Sequence, residues 1–326
     1  MTERLVGQDL VIRDLVGRDL VTERLETEDL GTEDLARRSR AAEPSAAEPS
    51  AAEPSAARRG PEPRARFGDL LAAEWIKLRS LRSVSWSVVL GGLLVIAMNV
   101  GSALSDHLNW ADYGEPVRAD FFPDWSITAA FTQAAAMVTL LVVGSIAAVL
   151  VSSEYQTGMI RTTFAAVPAR RAVMAAKLAV AFGLFAGWGA VVGAVSFFGS
   201  QAILSLRDVG VPIGHPGALR VVVASALLAP VAALVATGLA ALLRHTAAAI
   251  VSVVGLLLLL PALLNSPREW VIRIDNVFPL TAWQRLTELA GGHEPPALSL
   301  GGAWAVYAVW VVVAAGLALV VVRRDP

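Results

Sequence analysis

Six apolar stretches, each about 20 residues or longer, dominate the chain: Val84–Leu104, Ile127–Val151, Leu178–Gly199, Val221–Leu243, Thr246–Leu264 and Ala303–Val322. A helix needs about 20 residues to cross the hydrocarbon core of a bilayer. In lipid only helices and closed barrels satisfy their own backbone hydrogen bonds. Runs such as VVGLLLLLPALL lack the period-two alternation of a barrel strand, so the expected fold class is all-α, a polytopic membrane protein with six transmembrane helices. Composition agrees: 55% of the 326 residues are hydrophobic and 17% are charged, more apolar residue than a soluble core of this length needs.

Several function classes recede on composition alone. The formal net charge is -1, which argues against a nucleic-acid partner. The absence of cysteine removes disulfides, thiolate metal ligands and a cysteine nucleophile. No Asp, Glu, Lys, Arg or His falls well inside any apolar stretch. Carriers that run on their own ion or proton coupling keep such a group near the midplane. If this protein moves a substrate, its energy is expected to come from elsewhere.

The first part of the chain is different. Leucine recurs every five residues from Leu5 to Leu35, a period that keeps one face on neither a helix nor a strand. A pentapeptide β-helix wants a small residue two before each leucine, and Glu3, Gln8, Arg13 and their successors are too large for that slot. AAEPSAAEPSAAEPS follows over Ala41–Ser55. Sequence this polar cannot bury enough apolar surface to offset its ordering entropy. Residues 1–66 are therefore expected to be a disordered, repeat-rich cytoplasmic tail, and residues 67–326 a six-helix membrane domain. The first 60 residues hold no apolar core of a secretory signal.

Lys and Arg set the expected orientation. With the N-terminus inside, the inner flanks hold Lys77, Arg79, Arg82, Arg161, Arg170, Arg171, Lys177, Arg244, Arg323 and Arg324. The outer loops hold fewer: Arg118, Arg207, Arg220, Arg268, Arg273 and Arg285. Both termini are expected in the cytoplasm of a multi-pass cell-membrane protein.

Two cytoplasmic elements carry more pattern than topology requires. In RFGDLLAAEWIKLRSLRS, Phe67, Leu70, Leu71, Trp75, Leu78 and Leu81 fall on one helical arc, with Lys77 and Arg79 off it and Glu74 and Arg82 intruding. This reads as an interfacial helix lying on the inner leaflet, anchored by Trp75, Lys77 and Arg79. In SSEYQTGMIRTTFAAVPARRAVMAAK, Ser152–Thr157 extends span two, Gly158 permits a turn, and a short segment ends near Pro168. Topology accounts for the cations here, but not for Glu154, Gly158 and Pro168 beside them. The pattern suits a small rigid element that docks on a partner.

LLAAEWIKLRSLRS before span one and EYQTGMIRTTFAAVPARRAVMAAK after span two resemble the permease subunits of ABC-2 type transporters, most of all the actinobacterial drug-export and immunity branch. FPLTAWQRL, from Phe278, resembles the segment those permeases carry before the last span, with Trp283 where a small residue is expected. The resemblance covers about residues 67–326. It implies a coupling helix between spans two and three, at which Glu154, Tyr155, Gly158, Arg161, Pro168, Arg170 and Lys177 meet a separate ATP-binding subunit. It also implies a second permease copy, a homodimer. The alternative is a membrane-embedded scaffold that recruits a cytoplasmic partner without transport.

The chain has no G-x-x-x-x-G-K-[ST] phosphate loop, no G-x-S-x-G elbow and no H-E-x-x-H. His107, His215, His245 and His293 show no i, i+4 pairing for a metal. A non-enzymatic subunit with no cofactor and no metal is expected.

Overall fold

The computed structural model describes residues 66–264, 268–289 and 298–324, which belong to one unit, Arg64–Pro326. The repeat-rich tail up to residue 65, and His293, lie outside the described residues. The described residues form no strand, and six of their helices are long and apolar enough to cross a membrane. In chain order the main helices are α1 (Phe67–Ser80), α2 (Arg82–Leu108, span one), α3 (Gln133–Gln156, span two), α4 (Met159–Ala166) and α5 (Arg170–Leu204, span three). They continue with α6 (Ala218–Leu243, span four), α7 (Thr246–Val254, the first part of span five), α8 (Glu269–Asp275), α9 (Pro279–Thr287) and α10 (Leu300–Val321, span six).

Span four is the centre. Of its most apolar window 72% is buried, against 17% for span five. It packs on spans two, three, five and six. The sequence explains why: Ala229, Ala232, Ala233, Ala236 and Ala240 are fully buried and small enough for neighbouring backbones to come close. Span three approaches from one side through Gly189, where an added methyl would run into the carbonyl oxygen of Ala226. Gly183 and Gly187, on the same helix, face open space. The small-residue stripe of span three thus divides into a bundle contact and an unpartnered part.

Polar side chains stitch the spans together. Asn99 on span one donates to Ser196 Oγ on span three at 3.1 Å and accepts from the Thr132 backbone N–H at 3.0 Å. Gln201 donates to the Ser126 carbonyl at 2.6 Å and accepts from the Val211 N–H at 2.8 Å. Both are buried, so these residues serve interhelical bonding, whereas Gln133 is exposed. Tyr307 on span six donates to the Ala224 carbonyl of span four at 3.2 Å.

The helices depart from the apolar stretches where capping or length intervenes. Span two begins at Gln133 rather than near Ile127, because the Thr132 hydroxyl accepts from the Ala135 N–H at 3.1 Å and caps a new helix there. Span three is 35 residues long. At 1.5 Å per residue that is about 52 Å, well beyond a hydrocarbon core of about 30 Å. Its first two turns, which hold Lys177, continue past the apolar run. In span five a π-helical turn, Gly255–Leu259, lies just before Pro261, whose missing N–H disturbs the regular ladder. Before span six, α9 buries Leu280, Trp283 and Leu286 against the bundle, and Trp283 donates to Ser225 Oγ at 3.0 Å. Trp283 is accommodated there as a core residue with its polar atom satisfied.

At Gly189 the overlap with Ala226 outweighs the helix-propensity gain of alanine. Gly189→Ala is expected to cost about 1–2 kcal/mol, read as a lower thermal midpoint in detergent. Gly187→Ala should leave the midpoint unchanged or raise it.

Candidate functional site

The connection between spans two and three is shaped by local backbone chemistry. Span two ends at Gln156, and Gly158 then adopts φ 72°, a left-handed conformation that only glycine takes without steric cost. This turn starts α4, which buries Ile160 and Phe164, one helical turn apart on the same face. Val167 is extended, as a residue before proline prefers, so the helix stops short of Pro168. The Arg170 N–H bonds to the Pro168 carbonyl at 2.9 Å, and span three starts at Arg170.

Four charges converge where this loop meets α1. Lys177 Nζ donates to Glu74 Oε2 at 2.6 Å and to Glu154 Oε1 at 2.7 Å. Lys77 Nζ donates to Glu74 Oε1 at 2.8 Å and lies 3.8 Å from Glu154 Oε1. Glu74, Glu154 and Lys177 are all buried. Burial pushes the Glu74 carboxyl up, but the Lys177 charge and the hydrogen bonds from Lys177 and Lys77 outweigh it and hold the group below its ordinary value of 4.5. Burial likewise lowers Lys77, and its bond to Glu74 with the charge of Glu154 outweighs this and holds it above its ordinary 10.5. The two carboxylates and two ammoniums sum to zero. The site therefore joins α1, the end of span two and the start of span three through desolvated, charge-assisted hydrogen bonds.

The residues expected to contact a partner divide into two groups. Glu154 and Lys177 point inward and bond to each other, so they brace the loop from beneath. Tyr155 lies under the Arg244 guanidinium of the span four–five turn, 5.6 Å from ring centroid to Cζ. Arg170 sits over Phe164 at 5.5 Å, which fastens α4 to the start of span three. Arg161 and Pro168 are exposed. A further tie joins Ser152 Oγ to Thr246 Oγ1 at 2.8 Å, and Thr246 donates to Gln156 Oε1 at 3.0 Å, linking the loop to span five.

Only part of the apolar arc of α1 faces the bundle. Its buried residues are Leu70 and Glu74, with Leu71, Lys77 and Leu78 half-buried beside them. Phe67 and Trp75 are about half exposed, at 48% and 44%. Glu74 does not intrude on the buried face; it is the centre of it. Lys77 likewise turns toward Glu74, while Arg79 stays exposed. The signal was present in the sequence: an acid in the middle of an apolar arc is tolerated only with a cation to meet it.

Among the described residues no three His, Asp or Glu side chains group as metal ligands. His245 caps span five, accepting from the Ala248 N–H at 3.4 Å, and His107 lies in the last turn of span one. No family model matches the chain, and no curated protein sequence matches it.

Removing one member of a buried ion cluster strands the others. Lys177→Met is expected to cost about 3–5 kcal/mol, measured as the thermal midpoint in detergent, and adding Glu74→Gln should recover part of the loss. The depressed Glu74 group also fixes a direction with pH. Its contribution is fully present above 4.5, the ordinary value, and is lost as pH falls through the lower value of the folded protein. Midpoints taken from pH 7 down to pH 3 should therefore drop below about pH 4.5, and drop less in Glu74→Gln.

Proposed function

We propose that the chain is the membrane-spanning permease subunit of an ABC exporter, with the α4 loop as the element through which a separate ATP-binding subunit drives it. The observation that carries this reading is the construction of the loop. A short helix, bounded by Gly158 and Pro168, presents Arg161 outward while Glu154 and Lys177 anchor its base to α1 and to spans two and three. A push on α4 reaches three helices through bonds too short and too buried to slip. A loop that only balanced topology would need the cations without the inward carboxylate or the rigid turn.

The rest of the reading follows from the sequence. The chain has no phosphate loop, which supports a separate subunit for nucleotide binding. The bias of Lys and Arg supports a cytoplasmic loop and cytoplasmic termini in a cell-membrane protein. A second copy of the chain completes the path, as the resemblance to ABC-2 permeases implies.

Purification from native membranes in mild detergent should yield a stoichiometric ATP-binding subunit with vanadate-sensitive ATP hydrolysis. Arg161 is exposed and lies outside the buried ion cluster, so Arg161→Glu tests the outward face of α4. It should lower retention of that subunit at least tenfold without changing membrane insertion or thermal midpoint. A complex shown to survive the detergent but containing only a non-ATPase partner would overturn the transport reading in favour of a scaffold.

A further inference from the structure

Where spans four and six begin, a pocket of about 440 Å³ opens beside the end of α9. Gly217 and Arg220 line it from the start of span four, and Leu300 from the start of span six. Arg285 of α9 completes it, with Glu288 and Leu289 just after that helix. Two spans enter the bilayer here, so the pocket is level with lipid headgroups whichever way the chain is oriented.

Its charge is unbalanced. Among the described residues lining it, two guanidiniums stand against one carboxylate, which leaves one positive charge over. Both arginines converge on Glu288. Arg285 Nη1 donates to Glu288 Oε2 at 3.0 Å, while Arg220 Nη2 reaches only the Glu288 backbone carbonyl, at 2.7 Å. Arg285 is further fixed by its Nε, which donates to the Leu298 carbonyl at 2.7 Å, and its side chain is only 20% exposed. The single carboxylate is thus taken by Arg285, and the Arg220 charge is met by a carbonyl dipole. Each guanidinium carries five N–H donors, so terminal N–H groups remain for an acceptor that enters the pocket. Span four adds to the same field. It starts after Gly217 with no side-chain cap, and uncapped N–H groups at a helix start favour an anion nearby.

An occupant with one negative charge would balance the pocket. Carboxylate and phosphate both match the arginine fork, and depth selects between them. The anion that a bilayer holds at this level is the lipid phosphate, and Leu289 and Leu300 offer apolar surface beside it. A head that carries its own ammonium would bring that charge against the arginines and lose the advantage.

We propose that this pocket binds a phosphate group of net negative charge, with Arg220 and Arg285 as its donors. The site stands apart from the transport reading, since it needs neither an ATP-binding subunit nor a second copy.

The test titrates the full chain in mild detergent with phosphatidylglycerol, whose phosphate is its only charge, and with phosphatidylethanolamine, whose ammonium cancels it. Native mass spectrometry should show one saturable phosphatidylglycerol per chain, held at least tenfold more tightly than phosphatidylethanolamine. Arg220→Gln and Arg285→Gln should each weaken it tenfold or more. Arg273→Gln, which removes an exposed arginine of α8, should leave it unchanged. Glu288→Gln removes the competing carboxylate and should tighten binding, which a merely structural Glu288 would not do. Thermal midpoints in inorganic phosphate, against chloride of equal ionic strength, separate the two sources of the anion. A rise that Arg220→Gln abolishes assigns a free phosphate, and phosphatidylglycerol binding without such a rise assigns the lipid headgroup. Equal retention of the two lipids with no response to phosphate would overturn the proposal. So would an equal loss in Arg273→Gln, or unchanged binding in folded Arg220→Gln and Arg285→Gln. Should both of those variants fail to fold, Glu288→Gln decides, and no tightening there overturns it.

Discussion

Everything on the α1 side of the bundle depends on one ammonium. Lys177 Nζ holds two buried carboxylates at 2.6 and 2.7 Å, one from α1 and one from the end of span two. A desolvated carboxylate without a cation is far costlier than an unmet amide. The pairing therefore acts as a strong constraint: Lys77 meets one oxygen of Glu74 within α1, and the other is met only when span three delivers Lys177. It does so because α5 extends its helix about two turns before the apolar run begins. The long helix, the buried acid on α1 and the inward turn of Glu154 are parts of one solution.

Away from that cluster the bundle is held differently. Lipid tails are as apolar as leucine, so burial alone drives spans together weakly, and close packing with interhelical hydrogen bonds must contribute. Span four supplies the first through its alanines and its contact with Gly189. Asn99, Gln201, Trp283 and Tyr307 supply the second, each reaching a backbone or hydroxyl group on another segment. The exposed, apolar outer faces of spans one, five and six are what a lipid-facing perimeter requires. The buried ion cluster lies where α1 and α4 meet the span ends, and it marks the candidate site for partner contact.

How much of this was legible beforehand depended on range. The spans could be read because a bilayer demands length and apolarity within each segment, whatever its neighbours. The loop could be read because its punctuation is local: Gly158 permits a positive φ and Pro168 stops the helix before it. The sequence marks Glu154 and Lys177 as surface for a partner, and the structure turns both inward. Glu74 interrupts an apolar arc. Its partner lies 103 positions away, and neither charge count nor periodicity carries information over that separation.

The sequence by itself determined that the membrane part is helical, where six membrane-length helices run, and where the connection between the second and third turns and stops. These follow from backbone sterics and transfer free energy, which act residue by residue. The tertiary structure alone decided which helix lies at the centre, that span three packs Gly189 and leaves Gly183 and Gly187 open, and that four charges close into one neutral cluster with three of its members buried. Those outcomes depend on distances between segments, and a buried charge has no stable place until the segment carrying its counter-charge is there.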